Sequence, residues 1–179
     1  MTKLIVYRTD SREFEPGEEF TSRGDHRDEL PDEHKREAED AIRAARDDGA
    51  KIRSDSLYTY RSLELATNDW KARSKDRRHL YELEIDESDI VHVGDLMIYF
   101  DVIADVRAQR DPTATASKYW DAAPSERDTE YLVRKATVIR QIHNASDWKS
   151  PAQRAVEKHR DDPDNEAFYK SIFGGTKQK

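Results

Sequence analysis

The sequence predicts an α+β fold, in which strands and helices are mostly segregated along the chain. Four runs have the alternation and the β-branched and aromatic content of strands, and they lie at residues 3–8, 55–61, 79–85 and 130–142. Helical spacing of apolar residues follows the first two runs, whereas the chain from the third run onward is mostly strand. This order favours an α+β arrangement over a doubly wound parallel sheet.

Two helices are predicted between these strands. The first covers residues 31–48, because Pro31 suits a first-turn position, acidic residues follow it, and Gly49 ends the pattern. The second begins after Ser62, a residue typical of a helix N-cap, and runs through SLELATNDWKA. Its buried stripe is predicted to comprise Leu63, Ala66 and Trp70.

The next part of the chain is less regular. Residues 90–103, IVHVGDLMIYFDVI, are predicted to continue as strand-like runs that break at Gly94 and Asp95. A weakly patterned stretch over 104–127 follows, and a short helix is expected within it around TASKYWDAA. The run at 130–142 is predicted to form one or two strands.

The composition predicts one ordered domain with an appendage. Hydrophobic residues make up 35% and charged residues 39%, but the apolar residues are bunched into short runs, which argues against a disordered chain. After residue 145 the sequence becomes polar and helical. The prediction is therefore a domain over 1–145 and a C-terminal helical extension over 146–179 with a frayed tail.

Several classes of site are excluded by residue type and spacing. The chain has no cysteine, which rules out disulfide scaffolds, thiol nucleophiles and iron–sulfur sites. Its six histidines have neither HxH nor HxxxH spacing, so no metal site is expected. His92 is interpreted as a half-buried strand residue rather than a base. Neither GxGxxG nor a P-loop occurs, so a Rossmann or Walker nucleotide site is not predicted.

Charge and hydropathy limit the partners. The net charge is −7, which is unlike a general nucleic-acid-binding protein. A local basic stretch runs from Lys71 to Arg78, and it is interpreted as a solvated loop unless it contacts an acidic partner. No apolar run approaches the ~20 residues of a membrane span, and the amino terminus does not resemble a secretory signal. A cytoplasmic protein without a membrane partner is expected.

Three groups of residues could carry chemistry. Arg8 ends the first strand, where its forked, charged side chain suits a phosphate or ribose hydroxyls. Glu130 precedes the late strand run, where a carboxylate could stabilise positive charge at a sugar carbon. The strand between them, DSLYTYRS, offers either a Ser56, Tyr58 and Tyr60 face or a Leu57 and Thr59 face. Taken one at a time, each group also fits an ordinary ion pair or a strand with one buried aromatic face.

The order of these three motifs resembles the ADP-ribosyltransferase superfamily. Arg8 in LIVYRTD, Ser56 to Tyr60 in DSLYTYRS and Glu130 in DTEYLV follow the family's arrangement of an Arg or His strand, a Ser/Thr and aromatic strand, and a late glutamate. The resemblance covers roughly residues 3–142. Within the superfamily, the chain is most similar in pattern to small bacterial and phage-type members. It implies split antiparallel sheets around an NAD cleft, with flanking helices.

The resemblance also implies roles for the residues. Arg8 would hold a phosphate or the nicotinamide ribose, Tyr58 or Tyr60 would stack on the nicotinamide ring, and Ser56 belongs to the same cofactor-binding strand. Glu130 would bind the ribose 2′-hydroxyl and favour departure of nicotinamide. Asp128 stands where protein-modifying members often carry Glu or Gln, and it would affect the choice of acceptor.

The expected function is a mono-ADP-ribosyltransferase that uses NAD+ as its substrate and needs no metal. Its acceptor would be a macromolecule, either a protein or a nucleic acid, with water as acceptor in an NAD glycohydrolase variant. Two other interpretations stay open. One is a non-catalytic interaction or inhibitor module on the same fold, and the other is an unrelated nuclease or RNA-binding protein.

Overall fold

Strands that are distant in sequence pair in one antiparallel sheet, in a computed structural model that describes residues 2–149 apart from 31, 74–77, 122 and 148. The strands are β1 (Lys3–Asp10), β2 (Glu19–Thr21), β3 (Leu57–Tyr60), β4 (His79–Asp86), β5 (Ile90–Asp95), β6 (Thr129–Val133) and β7 (Lys135–His143). The α-helices are α1 (Glu33–Ala44), α2 (Gly49–Asp55), α3 (Leu63–Ala72), α4 (Leu96–Arg107) and α5 (Thr113–Asp121). Short 3₁₀ helices lie at His26–Glu29, Glu87–Asp89 and Ala145–Asp147.

The strand order in the sheet is β2-β7-β4-β1-β3-β6-β5. β1 pairs with β4 along its whole length, from Lys3 opposite Asp86 to Asp10 opposite His79. On its other side β1 meets β3 at one position, where Tyr7 lies opposite Tyr60. The prediction of two split sheets is therefore wrong: the Tyr7–Tyr60 pair joins the two halves into one sheet, although the two strands diverge on either side of it.

Two apolar clusters stabilise this arrangement. The first lies on the sheet, where alternating residues of β4 and its neighbours point to one side; its buried members include Val6, Leu57, Leu83, Ile85 and Val138. The second packs α1 against α4 and α5, and its buried members include Ala38, Ile42, Ile103, Val106 and Tyr119. The sheet and the helix cluster together position the residues between them.

Most predicted elements are confirmed with small shifts at their ends. Ser62 caps α3 through a hydrogen bond from the Leu65 N–H to its hydroxyl. The run at 130–142 forms two strands, β6 and β7, with Arg134 between them. Ala66 and Trp70 are buried as expected, but Leu63 is 41% exposed because it begins the helix at its solvent side.

Two predictions about helices are wrong. The apolar run after Gly94 forms α4, since Asp95 accepts the Met97 N–H as an N-cap and the buried Val102, Ile103 and Val106 recur at helical spacing. Gly49 does not simply end the first helix; α1 ends at Ala44 and Gly49 begins α2.

The chain divides into two units, Met1–Ala145 and Ser146–Lys179. The expected C-terminal helices lie almost entirely outside the described residues, as does the centre of the basic stretch between Lys71 and Arg78. No helix in the part of the chain that the structure describes is long and apolar enough to cross a membrane.

Candidate functional site

A pocket opens where β1 and β3 diverge, and it brings together four of the residues singled out from the sequence. Arg8, Tyr58, Tyr60 and Glu130 all line it. Side chains from α1 to α4 and from the 3₁₀ helix His26–Glu29 complete its walls. The enclosed cavity has a volume of about 120 Å³. This is smaller than the roughly 300–1,000 Å³ of most small-molecule sites, so a ligand of that size would also occupy the open mouth of the pocket.

Arg8 lies at the gap between the two strands. Its Nη1 donates a hydrogen bond of 2.7 Å to the Tyr58 carbonyl, a group that has no β1 backbone partner because the strands have separated. Its Nη2 lies 3.4 Å from the Asp10 carboxylate, and the guanidinium sits over the Phe20 ring. Burial lowers the pKa of Arg8, although arginine stays charged in proteins. The Nε atom is buried and makes no hydrogen bond with the described residues.

Glu130 is the second residue of β6 and lies between Tyr60 of β3 and Gly94 of β5. The side chain is 6% exposed. Its Oε2 accepts a 2.7 Å hydrogen bond from the Tyr119 hydroxyl. Burial raises the pKa of Glu130, while the charge of Arg53 and the Tyr119 hydrogen bond act in the opposite direction. Among the described residues, no side chain donates a hydrogen bond to Oε1, which leaves this oxygen for a ligand.

The structure separates the roles of the three residues on the middle strand. Ser56 is buried at the end of α2 and does not line the pocket. Tyr58 is committed to the protein, since its ring packs on His26 at 4.5 Å, with Arg53 also over the ring, and its hydroxyl donates to the Arg53 carbonyl. Tyr60 is half-buried and has no ring contact within the described residues. Of the two tyrosines, Tyr60 is the lining residue whose ring is not already packed on His26 and Arg53, which makes it the better candidate to stack on a ligand.

Asp128 lies outside the pocket. Its carboxylate accepts a hydrogen bond from the Ser125 hydroxyl, and its carbonyl accepts the Leu96 N–H. These contacts shape the turn that leads into β6. An effect of Asp128 on a second substrate would have to come from this turn rather than from the pocket lining.

His92 is buried in β5, where its Nε2 lies 3.2 Å from the Tyr119 carbonyl. Burial lowers its pKa to about 4. This agrees with the interpretation of a strand residue rather than a base, although the burial is more complete than expected.

Sequence reasoning missed two residues that line the pocket, Arg53 and His26, and two that bond to lining residues, Glu39 and Tyr119. Arg53 on α2 is buried and binds the buried Glu39 of α1. Tyr119 on α5 donates to Glu130, and His26 packs on Tyr58 with its pKa lowered to about 4 by burial. The helical spacing of Ala116 and Tyr119 was a usable signal, because it placed the tyrosine on an apolar stripe. No comparable signal marks Arg53 and Glu39, because charged residues at helix positions usually face solvent.

The pocket is locally cationic although the chain as a whole is acidic. Five cationic side chains and three carboxylates line it, and the net charge of the chain is −7. The cationic members are Arg8, Lys35, Arg53, Arg73 and Arg78, and the acidic members are Glu29, Asp69 and Glu130. Such a lining offers guanidinium donors to an anionic ligand and a carboxylate to its hydroxyl groups. Four of the cations also pair with carboxylates: Arg8 with Asp10, Arg53 with Glu39, Arg73 with Asp69 and Arg78 with Glu29.

No protein-family model matches the chain, and no curated protein matches it either.

Proposed function

We propose that this protein is an NAD+-dependent mono-ADP-ribosyltransferase. The observation that carries the proposal is the shared pocket: Arg8 on the first strand and Glu130 on a late strand line one cleft with Tyr60 between them. NAD+ has the chemistry that this pocket matches, since it combines a pyrophosphate, ribose hydroxyls and a planar cationic ring. The cationic lining and the buried carboxylate also support it.

In this proposal Arg8 holds a phosphate or the nicotinamide ribose, with its unpaired Nε as the available donor. Tyr60 stacks on the nicotinamide ring, because Tyr58 is already packed between His26 and Arg53. Glu130 accepts the ribose 2′-hydroxyl at Oε1 and stabilises the oxocarbenium-like state at C1′.

The reaction breaks the bond between C1′ and the nicotinamide nitrogen, and nicotinamide leaves as a neutral molecule with the bonding electron pair. A nucleophile of the acceptor forms the new bond to C1′ and loses its proton. The proposed acceptor is a macromolecule, a protein or a nucleic acid. If water takes its place, the same site acts as an NAD glycohydrolase.

The test is incubation of the purified protein with NAD+, alone and with cell extract, while free nicotinamide and the mass of labelled acceptors are measured. We expect Glu130→Gln to lower nicotinamide release by about 10²–10³-fold. Because burial raises the pKa of Glu130, the folded protein stabilises its carboxylate less than water does, so replacement by the neutral amide should cost little stability.

Glu126→Gln is the matched control, since Glu126 lies in the same turn, is exposed and pairs with Arg61 outside the pocket. It should release nicotinamide at the parental rate. Absence of both nicotinamide release and an NAD+-induced thermal shift would contradict the proposal. A thermal shift without release would support the non-catalytic module instead.

A further inference from the structure

A buried arginine lies directly beneath Glu130. Arg53 is 1% exposed, and its Nε and Nη2 each donate a 2.7 Å hydrogen bond to one carboxylate oxygen of Glu39. Glu39 is itself fully buried and accepts a further hydrogen bond from Arg43. This bidentate pairing fixes the plane of the Arg53 guanidinium, whereas a single hydrogen bond would leave it free to rotate.

Aromatic rings fix the same guanidinium from its other sides. The rings of Tyr58 and Tyr119 each lie 4.8 Å from it, and the ring of Tyr99 lies 5.7 Å away. Cation–π contacts at these distances stabilise a buried cation that has left water. Arg53 is therefore held as a permanent positive charge in one orientation.

The remaining nitrogen of Arg53 points to the pocket. Its Nη1 lies 3.8 Å from Oε2 of Glu130 and makes no hydrogen bond with the described residues. The Tyr119 hydroxyl contacts the same Oε2. Both protein groups thus act on one carboxylate oxygen, and the other, Oε1, is left for the ligand.

We propose that Arg53 is a positioning residue, which keeps the Glu130 carboxylate ionised and turned so that Oε1 faces the bound substrate. The inference rests on the proposed function, because it assigns Glu130 the role of accepting a ribose hydroxyl. A protonated Glu130 could not stabilise positive charge at C1′, so the ionised form is the one required.

The charges around Glu130 explain why a cation is needed there. Burial and the nearby carboxylate of Glu39 favour the neutral acid, whereas Arg53 and, more weakly, Arg8 favour the carboxylate. Four tyrosines also interact with the Glu130 charge, and their pKa values are raised, so they are neutral near physiological pH; they are Tyr58, Tyr60, Tyr99 and Tyr119. Removal of the Arg53 charge should therefore shift Glu130 towards its protonated form.

The experiment uses the variant Arg53→Gln, which removes the positive charge next to Glu130 and leaves Glu39, whose carboxylate favours the neutral acid. Nicotinamide release is measured across a pH series, and the Glu130 carboxyl is followed by ¹³C NMR. We expect the acid limb of the pH profile and the Glu130 titration midpoint to move up together by at least about one pH unit, equivalent to about tenfold in the protonation equilibrium. Arg53→Lys, which restores the charge, should return the midpoint close to that of the parent.

Arg140→Met is the matched control, since Arg140 is an exposed arginine on β7 that pairs with a carboxylate outside the pocket. It should leave both readouts unchanged. If this variant does not fold, the double variant Arg53→Gln/Glu39→Gln replaces the ion pair with two amides; because it also removes the opposing charge of Glu39, its shift should be smaller and in the same direction. An unchanged Glu130 midpoint in a folded variant without the Arg53 charge would overturn the inference.

The NMR titration requires no activity, so the two proposals can fail separately. If the parent releases no nicotinamide but the Glu130 midpoint depends on Arg53, the proposed function fails while the charge coupling stands. If nicotinamide is released and the midpoint ignores Arg53, the proposed function stands and the positioning role fails.

Discussion

Replacement of Gly94 by alanine should displace Tyr119 and so disturb the hydrogen bond that holds Glu130. A methyl group at Gly94 would lie 2.5 Å from Cζ and 2.7 Å from Cε2 of Tyr119, with its hydroxyl oxygen closer still. These separations are far below van der Waals contact, and Tyr119 is fully buried, so the ring must move against its packed neighbours. The absence of a side chain at position 94 is what allows the tyrosine to reach β6.

Two costs contribute to the expected loss of stability. Overpacking a buried site costs about 1–3 kcal/mol. Loss of the Tyr119 hydrogen bond to the Glu130 carboxylate adds about 1.5–3 kcal/mol. The total of about 2.5–6 kcal/mol corresponds to a fall in the melting temperature of about 5–24 °C for a chain of this size. Misplacement of Glu130 by about 1 Å should also lower nicotinamide release by about 10²-fold.

A double-mutant cycle separates steric displacement from other effects. Urea unfolding of Gly94→Ala, Tyr119→Ala and the combined variant gives the three free energies. Once the tyrosine ring is removed, the added methyl group has space, so the combined variant should be no less stable than Tyr119→Ala alone. If Gly94→Ala costs as much in the Tyr119→Ala background as in the parent, the contact with Tyr119 is not the cause and the reasoning fails.

Two further predictions concern pH. Burial opposes ionisation of Asp10, but hydrogen bonds from Arg12 and the charge of Arg8 outweigh it and lower its pKa to about 2. Asp10→Asn should therefore cost about 2 kcal/mol at neutral pH, and urea unfolding should show this difference vanish as the pH falls towards 2. Burial lowers the pKa of His92 from 6.5 to about 4. As the pH falls, the unfolded chain therefore takes up the proton first, and the free energy of unfolding should decrease between about pH 6.5 and pH 4. His92→Gln should reduce the slope of stability against pH, whereas a substitution of the exposed His34 should not; equal slopes in all three proteins would rule this out.

Local patterns were sufficient to predict six of the seven strands and the helices α1, α3 and α5, but not the short strand β2. The strict alternation of HLYELEI predicted β4, and the serine before LELATNDW predicted the start of α3. The same reasoning failed at LMIYFDVI, because a continuous apolar run is compatible with a buried strand or a buried helix. The run forms a helix because Asp95 caps its start and because its apolar residues pack against α1 and α5. That packing surface exists only in the folded chain, so the sequence pattern could not show it.

The residues of the site also divide into those that the sequence could predict and those that it could not. Arg8, Tyr60 and Glu130 could be proposed from sequence because each lies on a strand in an order that resembles a known family. Arg53 could not, since its buried position depends on Glu39 being brought beneath the sheet by a different helix. From sequence alone a charged residue is predicted to lie at the surface, because its burial depends on a partner whose position is not yet known. The resemblance also gave no reason to prefer Tyr60 over Tyr58, which the packing of His26 on Tyr58 supplies.

The near-split of the sheet explains both the pocket and the position of Arg8. Where β1 and β3 separate, the Tyr58 carbonyl loses the backbone donor that a continuous ladder would supply, and a buried carbonyl without a donor is costly. Arg8 meets that need with Nη1, and because the guanidinium has five N–H groups, it does so while keeping Nε for another acceptor. A lysine could also cap the carbonyl, but it could not offer a second donor in the fixed plane of a guanidinium. The structural requirement of the gap and the binding chemistry proposed for the cleft therefore favour the same residue.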